Sequence, residues 1–405
     1  MKFLENMMKK MEGPFKKGGK LERLHPVYDG FYTFLFTPGH TTHKGAHIRD
    51  GIDLKRTMMT VIVALLPCLI FGMWNVGHQH YYAHGQALEM TNWDKFLFGF
   101  IAVMPIVVVS YAAGLAVEFI FCVIKGHSIQ EGFLVSGMLI PLVMPPDVPL
   151  WMVALGTIFA VLIGKEVFGG TGMNVVNVAL TARAFLFFAY PTFLSGEVWV
   201  SGWENKEKFV DGFSGSTNLG LLAQTVDDPS KMEGMIAAGG TGSNGHVASM
   251  WDSFLGVEAG SIGETSAIAC LIGAAILIFT GIGSLRIMAS FFAGGFLMQL
   301  IFNAWGANPY MTVEPMHQLV MGGFFFGMVY MVTDPVTAAQ TPTGKIIYGM
   351  LAGMISIMVR VFNPAYPEGV MMAILLMNVV APLIDYYVVR ANINRRMKRV
   401  KLKTA

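Results

Sequence analysis

The chain has 405 residues, 54% hydrophobic and 13% charged, with mean hydropathy +0.55 and a formal net charge of +2. A soluble domain carries about 25% charged residues, and here the charges are also segregated: 11 Lys/Arg precede Thr57 and 7 follow Val389, which leaves 10 for the 333 residues between. This excludes a water-soluble body and gives no general field for nucleic acid, so the composition predicts an all-α polytopic membrane protein.

In chain order, an N-terminal arm (1–56) comes first. It mixes Lys9, Lys10, Lys16, Lys17 and Lys20 with Phe31, Tyr32, Phe34, Phe36, His40 and His43, as expected of an amphipathic segment at a membrane surface. No cleavable signal is expected, because the first long apolar run begins near Thr57. Ten spans follow, at about 57–76, 96–124, 130–144, 148–164, 174–191, 265–281, 285–303, 317–332, 346–362 and 368–389. The third and eighth are short and turn sharply at Pro145-Pro146-Asp147 and Thr333-Asp334-Pro335. Cys68, Cys122 and Cys270 lie singly within apolar runs, with no paired spacing for a metal or a disulfide framework.

Lys55-Arg56 precedes the first span and a basic tail (390–405) follows the last, so the excess of positive charge places both termini in the cytoplasm. That requires an even number of crossings, and ten satisfies it; Lys95 and Arg360 are exceptions to the charge rule. The segment 192–264 then faces outward, and Pro191–Glu264 holds ten carboxylates against Lys206, Lys208 and Lys231. Met173-Asn174-Val175-Val176-Asn177 resembles Met377-Asn378-Val379-Val380-Ala381, and Gly137-Met138 resembles Gly327-Met328. These matches suggest two repeats, 57–191 and 265–389. Five crossings each would invert one against the other, with broken helices marking a ligand or ion site.

Three groups of residues could carry chemistry. Asp211-Gly212-Phe213-Ser214-Gly215-Ser216-Thr217 offers hydroxyls on pliable, Gly-flanked backbone that a modifying enzyme could draw into its own site. Asn174, Asn177 and Arg183 lie near the Gly-rich turn of span five. The amides suit a flavin ring edge and the guanidinium suits a reduced, anionic flavin, although plain inter-helix hydrogen bonding would use the same groups. Glu118, Asp334 and Asp385 are ionisable groups within or beside spans; such groups suit a hard cation such as Na⁺, or a structural hydrogen bond. Gly114 and Gly172 are read as small residues for close helix packing. Thr341-Pro342-Thr343-Gly344-Lys345 lacks the first glycine of a phosphate loop and is set aside.

The loop ending at Thr217 resembles the Asp-x-x-Ser-Gly-Ala-Thr acceptor of flavin transferases, which esterify FMN to the Thr; Ser216 stands in the place of Ala and is a rival hydroxyl. The flanking Lys165–Gly172, Arg183–Pro191 and Asn363–Gly369 stretches agree, and the whole chain resembles the NqrB/RnfD family of bacterial membrane redox subunits. The arm ending His47–Arg56 favours the Nqr type over the alternative, the shorter RnfD-type component of ferredoxin:NAD oxidoreductase.

The resemblance implies a component of a Na⁺-translocating NADH:ubiquinone oxidoreductase in the bacterial inner membrane, with Thr217 on the periplasmic side. It implies covalent FMN on Thr217, with Asp211, Ser214 and Gly215 as its recognition context, a non-covalent riboflavin, and ubiquinone as acceptor. Na⁺ would be exported past Glu118, Asp334 and Asp385. The implied partners are A-, C-, D-, E- and F-type subunits, a flavin transferase and membrane lipid. A cofactor-free inverted-repeat channel or transporter would explain the spans but not the Asp211–Thr217 loop, and a visible spectrum separates the two.

Overall fold

The computed structural model describes residues 2–15, 19, 21–36, 44–46, 54–125, 132–202, 209–210, 213–227, 247–363, 365–366 and 368–401. Among these, regular structure is helical: α1 (Lys2–Met11), α2 (His25–Leu35), α3 (Leu54–Ala83), α4 (Asn92–Lys125), α5 (Phe133–Leu142), α6 (Leu150–Gly164) and α7 (Val178–Ala189). Then come α8 (Asn218–Asp227), α9 (Met250–Leu255), α10 (Ala267–Phe279), α11 (Leu285–Trp305), α12 (Pro315–Val320) and α13 (Phe324–Phe326). The chain ends with α14 (Pro342–Phe362) and α15 (Val370–Lys401). Six of these (α3, α4, α6 with its following turn, α11, α14 and α15) are long and apolar enough to cross a membrane, and α5, α7 and α10 are shorter apolar helices.

The rules for helix ends operate at three of these helices. Asn177 caps α7 by accepting from Leu180 N–H (3.1 Å), Ser266 caps α10 through Ala269 N–H (3.2 Å), and Thr341 caps α14 through Gly344 N–H (3.0 Å). The Thr341–Lys345 stretch is therefore a helix start. The eighth span is broken: α12 stops at Met321, Gly322 turns with φ +67, and α13 runs into a π-turn over Gly327–Met331.

Packing relations in the first half recur in the second. α4 packs on α6 as α11 packs on α14, and α6 packs on α7 as α14 packs on α15. The corresponding helices α3 and α10 pack on each other, as do α7 and α15. Where α3 meets α10, Cys68 Sγ lies 3.8 Å from Cys270 Sγ, so two cysteines that look solitary in sequence are neighbours, though unbonded. A Cβ on Gly294 would strike the Met350 carbonyl and one on Gly353 the Phe291 carbonyl, so α11 and α14 can approach closely only with glycine there. Gly114 likewise faces the Phe133 ring, whereas Gly172 meets nothing and is needed for its φ of +90. That reading of Gly172 as a packing residue is corrected.

The bundle has two chemically distinct ends. At one end, Asn75 Nδ2 donates to Glu258 O (2.9 Å), His80 Nδ1 pairs with Ser201 O (2.8 Å) and Arg183 meets Glu264. At the other, Lys165 pairs with Glu118, Asn177 Nδ2 donates to Asp334 (3.4 Å) and Thr341 pairs with Asp385. The segment 192–264 is more than a connecting loop. It folds α8 and α9, and its final stretch enters the body: Ile262 N–H donates to Met144 O (3.1 Å) and Gly263 N–H to Leu142 O (2.8 Å), satisfying carbonyls freed where α5 breaks. The two exceptions to the charge rule are explained by burial, since Lys95 is 7% exposed and Arg360 0%.

Candidate functional site

A cavity of about 290 Å³ opens at the first end, close to the lower bound of roughly 300–1,000 Å³ for small-molecule sites. Thr217 sits in its wall at the start of α8, where its Oγ1 accepts from Gly220 N–H (3.1 Å) as a helix cap. Thr217 is half-buried, while Ser216, also in the wall, is 5% exposed. Phe187 and Trp199 contribute flat apolar faces, and Gln224, Ser195 and Thr265 polar edges. Ser214 Oγ accepts from Ser216 N–H (3.3 Å) and Gly215 is buried; Asp211 lies outside the described residues, as do His40 and His43 of the arm.

Arg183 also lines this cavity. It donates to Glu264 Oε2 (2.7 Å) and to Glu368, which also accepts from the Tyr366 hydroxyl (3.1 Å). Its charge is thus already matched by two carboxylates, so it does not offer the free cation expected for an anionic flavin. Glu258, a third carboxylate in the wall, accepts from Asn218 Nδ2, Ser253 Oγ (2.8 Å) and Gly322 N–H (3.3 Å). Burial pushes its carboxyl up to about 7, against the pull of those donors and of Arg360. Arg360 donates to Glu368 O (2.8 Å) and Gln318 O (2.7 Å) and lies 5.7 Å over the Phe324 ring.

Asn174 and Asn177 line a second, smaller cavity of about 110 Å³, with Lys165, Tyr330 and Asp334. The three residues grouped by sequence are therefore divided. Asn177 stands at the start of α7 and Arg183 six residues on, about 9 Å along the axis. One short helix thus connects the two cavities. Asn378 of the second half, with its amide turned to pair both groups, accepts the Asn177 N–H (3.1 Å).

The three acidic candidates are not brought together, and among the described residues no group of three or more His, Cys, Asp or Glu side chains could hold a metal ion. Glu118 forms a buried ion pair with Lys165. Asp385 accepts from Gln340 N–H (2.6 Å), Thr341 N–H (3.1 Å) and Thr341 Oγ1 (2.6 Å), tying α15 to the start of α14. Asp334 faces the second cavity, held by Val336 N–H (3.0 Å) and Asn177. Removing one member of the Glu118–Lys165 pair strands the other charge. Glu118→Ala is expected to cost about 3–5 kcal/mol, whereas replacing both residues by apolar ones of similar volume should be near neutral; thermal unfolding of the detergent-solubilised complex measures the difference.

Sequence reasoning missed Glu258, Glu264, Glu368 and Arg360. Glu368 lies in the Asn363–Gly369 stretch that carries the resemblance, yet nothing local assigns it a partner 185 positions away.

The fold and site define a polytopic helical membrane protein with a hydroxyl-bearing, partly charged cavity at one end. The sequence matches the NQR2, RnfD, RnfE family over residues 41–394, and the chain belongs to that family. It is 43% identical to the B-type component of the Na(+)-translocating NADH-quinone reductase of Pseudomonas paraeruginosa, over 98% of this chain and 99% of that protein. It is 44% identical to the protein of the same description from Chromohalobacter salexigens (98% and 96% covered) and 43% identical to that from Azotobacter vinelandii (96% and 98%).

Proposed function

We propose that this chain is the B-type membrane component of a Na⁺-translocating NADH:quinone oxidoreductase and carries FMN as a phosphoester on Thr217. The carrying observation is the position of Thr217 Oγ1, half-exposed in the wall of the 290 Å³ cavity at the first turn of α8. The residues fit the group. Helix N–H groups beside the hydroxyl suit a phosphate, Trp199 and Phe187 suit an aromatic ring system, and polar side chains line the remainder. Bound there, FMN would supply reversible electron acceptance on the way to ubiquinone. The other subunit types of the complex and a flavin transferase are the partners this reading requires. Mass spectrometry of the proteolytic peptide containing Thr217 tests it: the peptide should carry one added FMN phosphoester, and an unmodified mass in the mature complex would refute the assignment.

The basic arm and tail support a cytoplasmic position for the end holding the second cavity, which puts Thr217 on the periplasmic face of the inner membrane. A free riboflavin is implied by the family resemblance, but a cavity of about 110 Å³ does not accommodate it in this chain alone, so no residue is assigned to it. For Na⁺, Asp334 is singled out among the three acidic candidates because it faces the second cavity, with Val336, Thr337 and Asn177 as its donors, whereas Glu118 is paired with Lys165 and Asp385 ties α15 to α14. Asp334→Asn is expected to raise severalfold the Na⁺ concentration needed for half-maximal quinone reduction; an unchanged sodium titration removes it from the ion path.

A further inference from the structure

The charges around the Thr217 cavity do not cancel. Three carboxylates, Glu258, Glu264 and Glu368, share the region with two guanidinium groups, Arg183 and Arg360. Arg183 is bonded directly to Glu264 and Glu368. Arg360, fully buried, uses two nitrogens on the carbonyls of Glu368 and Gln318, and its Nη2 has no hydrogen-bond partner. Among the described residues, Glu258 is therefore the carboxylate with no cation bonded to it; Asn218, Ser253 and the Gly322 N–H, all neutral, hold its two oxygens. With every group ionised, the described residues of the cluster carry one buried negative charge in excess, which a low-dielectric site resists.

We propose that Glu258 is a proton-exchange site of this cavity: an added negative charge is balanced by one proton that the Glu258 carboxylate takes from the outer solvent. The inference rests on the reading that Thr217 carries a flavin. The balance is one electron, delivered from NADH through the complex to the cavity, and one proton from solvent; an O–H bond forms on Glu258 and no bond in the protein breaks. Position supports this assignment as well as charge. Asn218, the residue after Thr217, donates directly to Glu258, so the acid is held one residue from the attachment point. The groups facing it are Arg360 from α14, Ser253 from α9, Asn218 from α8 and the Gly322 turn, with Glu264, Arg183 and Glu368 across the cavity. Burial brings its titration to about 7, as it does for Glu264, but Glu264 has Arg183 bonded to it whereas Glu258 has neutral donors.

The test is a spectroelectrochemical titration of the covalent flavin in the intact complex on both sides of pH 7, comparing wild type with Glu258→Gln. In wild type, Glu258 is protonated in both redox states below about pH 7 and exerts no pull. Above it, reduction takes up a proton, and the equilibrium shifts up to tenfold per pH unit toward the oxidised form, about 59 mV for one electron. Glu258→Gln should lose this inflection while keeping any slope that belongs to the flavin itself. Ser253→Ala removes one donor to the ionised carboxylate and should move the inflection to higher pH, a second readout if the Gln variant fails to assemble. A wild-type titration without an inflection, an inflection retained in Glu258→Gln, or one unmoved in Ser253→Ala overturns the proposal. The Thr217 peptide is weighed in the same samples: absence of flavin overturns both readings, and flavin with a flat titration overturns the proton site alone.

Discussion

Thr217→Ala is expected to abolish covalent flavin completely while leaving the protein in the membrane, seen as disappearance of its fluorescent band on a denaturing gel. The substitution removes just the cap to Gly220 N–H, worth about 1 kcal/mol at the end of one ten-residue helix, so a folding defect would not mimic the result. Thr217→Ser keeps both the cap and the hydroxyl and should retain flavin. Ser216→Ala tests the rival hydroxyl. Ser216 is 5% exposed against a half-buried Thr217, and presenting it to a second enzyme would require withdrawing Gly215 and Asn218, both buried, from their neighbours. Its variant should remain fluorescent; a band that survives in Thr217→Ala and disappears in Ser216→Ala would transfer the attachment to Ser216.

Arg183→Ala should destabilise the protein as strongly as Glu118→Ala. It leaves Glu264 and Glu368 facing each other without their shared cation, and breaking such a buried cluster costs about 3–5 kcal/mol. A lowered thermal midpoint and poor recovery of the assembled complex should result. Adding Glu264→Gln to Arg183→Ala removes one stranded charge and should restore part of the stability; no restoration would mean that the cost lies in impaired packing. Arg183→Lys should fall between, because an ammonium reaches one carboxylate well but lacks the fork that serves two.

The body of the fold was legible because its signals are local. Apolar runs of membrane length and X-Pro breaks at Pro145 and Pro335 are written within a few consecutive residues. The charged interior was not. Glu118 and Lys165 are 47 positions apart and Arg183 and Glu264 are 81, so each looks like an isolated charge until the bundle closes. The docking of Ile262 and Gly263 was not legible for a related reason: their amides are needed by carbonyls that α5 leaves bare more than a hundred positions away. The grouping of Asn174, Asn177 and Arg183 failed on geometry, because six residues of helix are enough to put one end of α7 in a different cavity.

The insertion of Ile262 and Gly263 beneath the end of α5 sets an order on biogenesis. The first five helices emerge with Leu142 and Met144 carbonyls uncovered, and the strap that covers them is synthesised more than a hundred residues later, just before α10. A fragment ending before that strap cannot complete that end of its own bundle, so the first half should be a client of membrane chaperones or proteases until translation has passed Thr265. Thr217 is made before the strap docks and sits upstream of it, which leaves its hydroxyl on unanchored chain during that interval. The wall of the cavity forms only when Glu258 and Glu264 arrive.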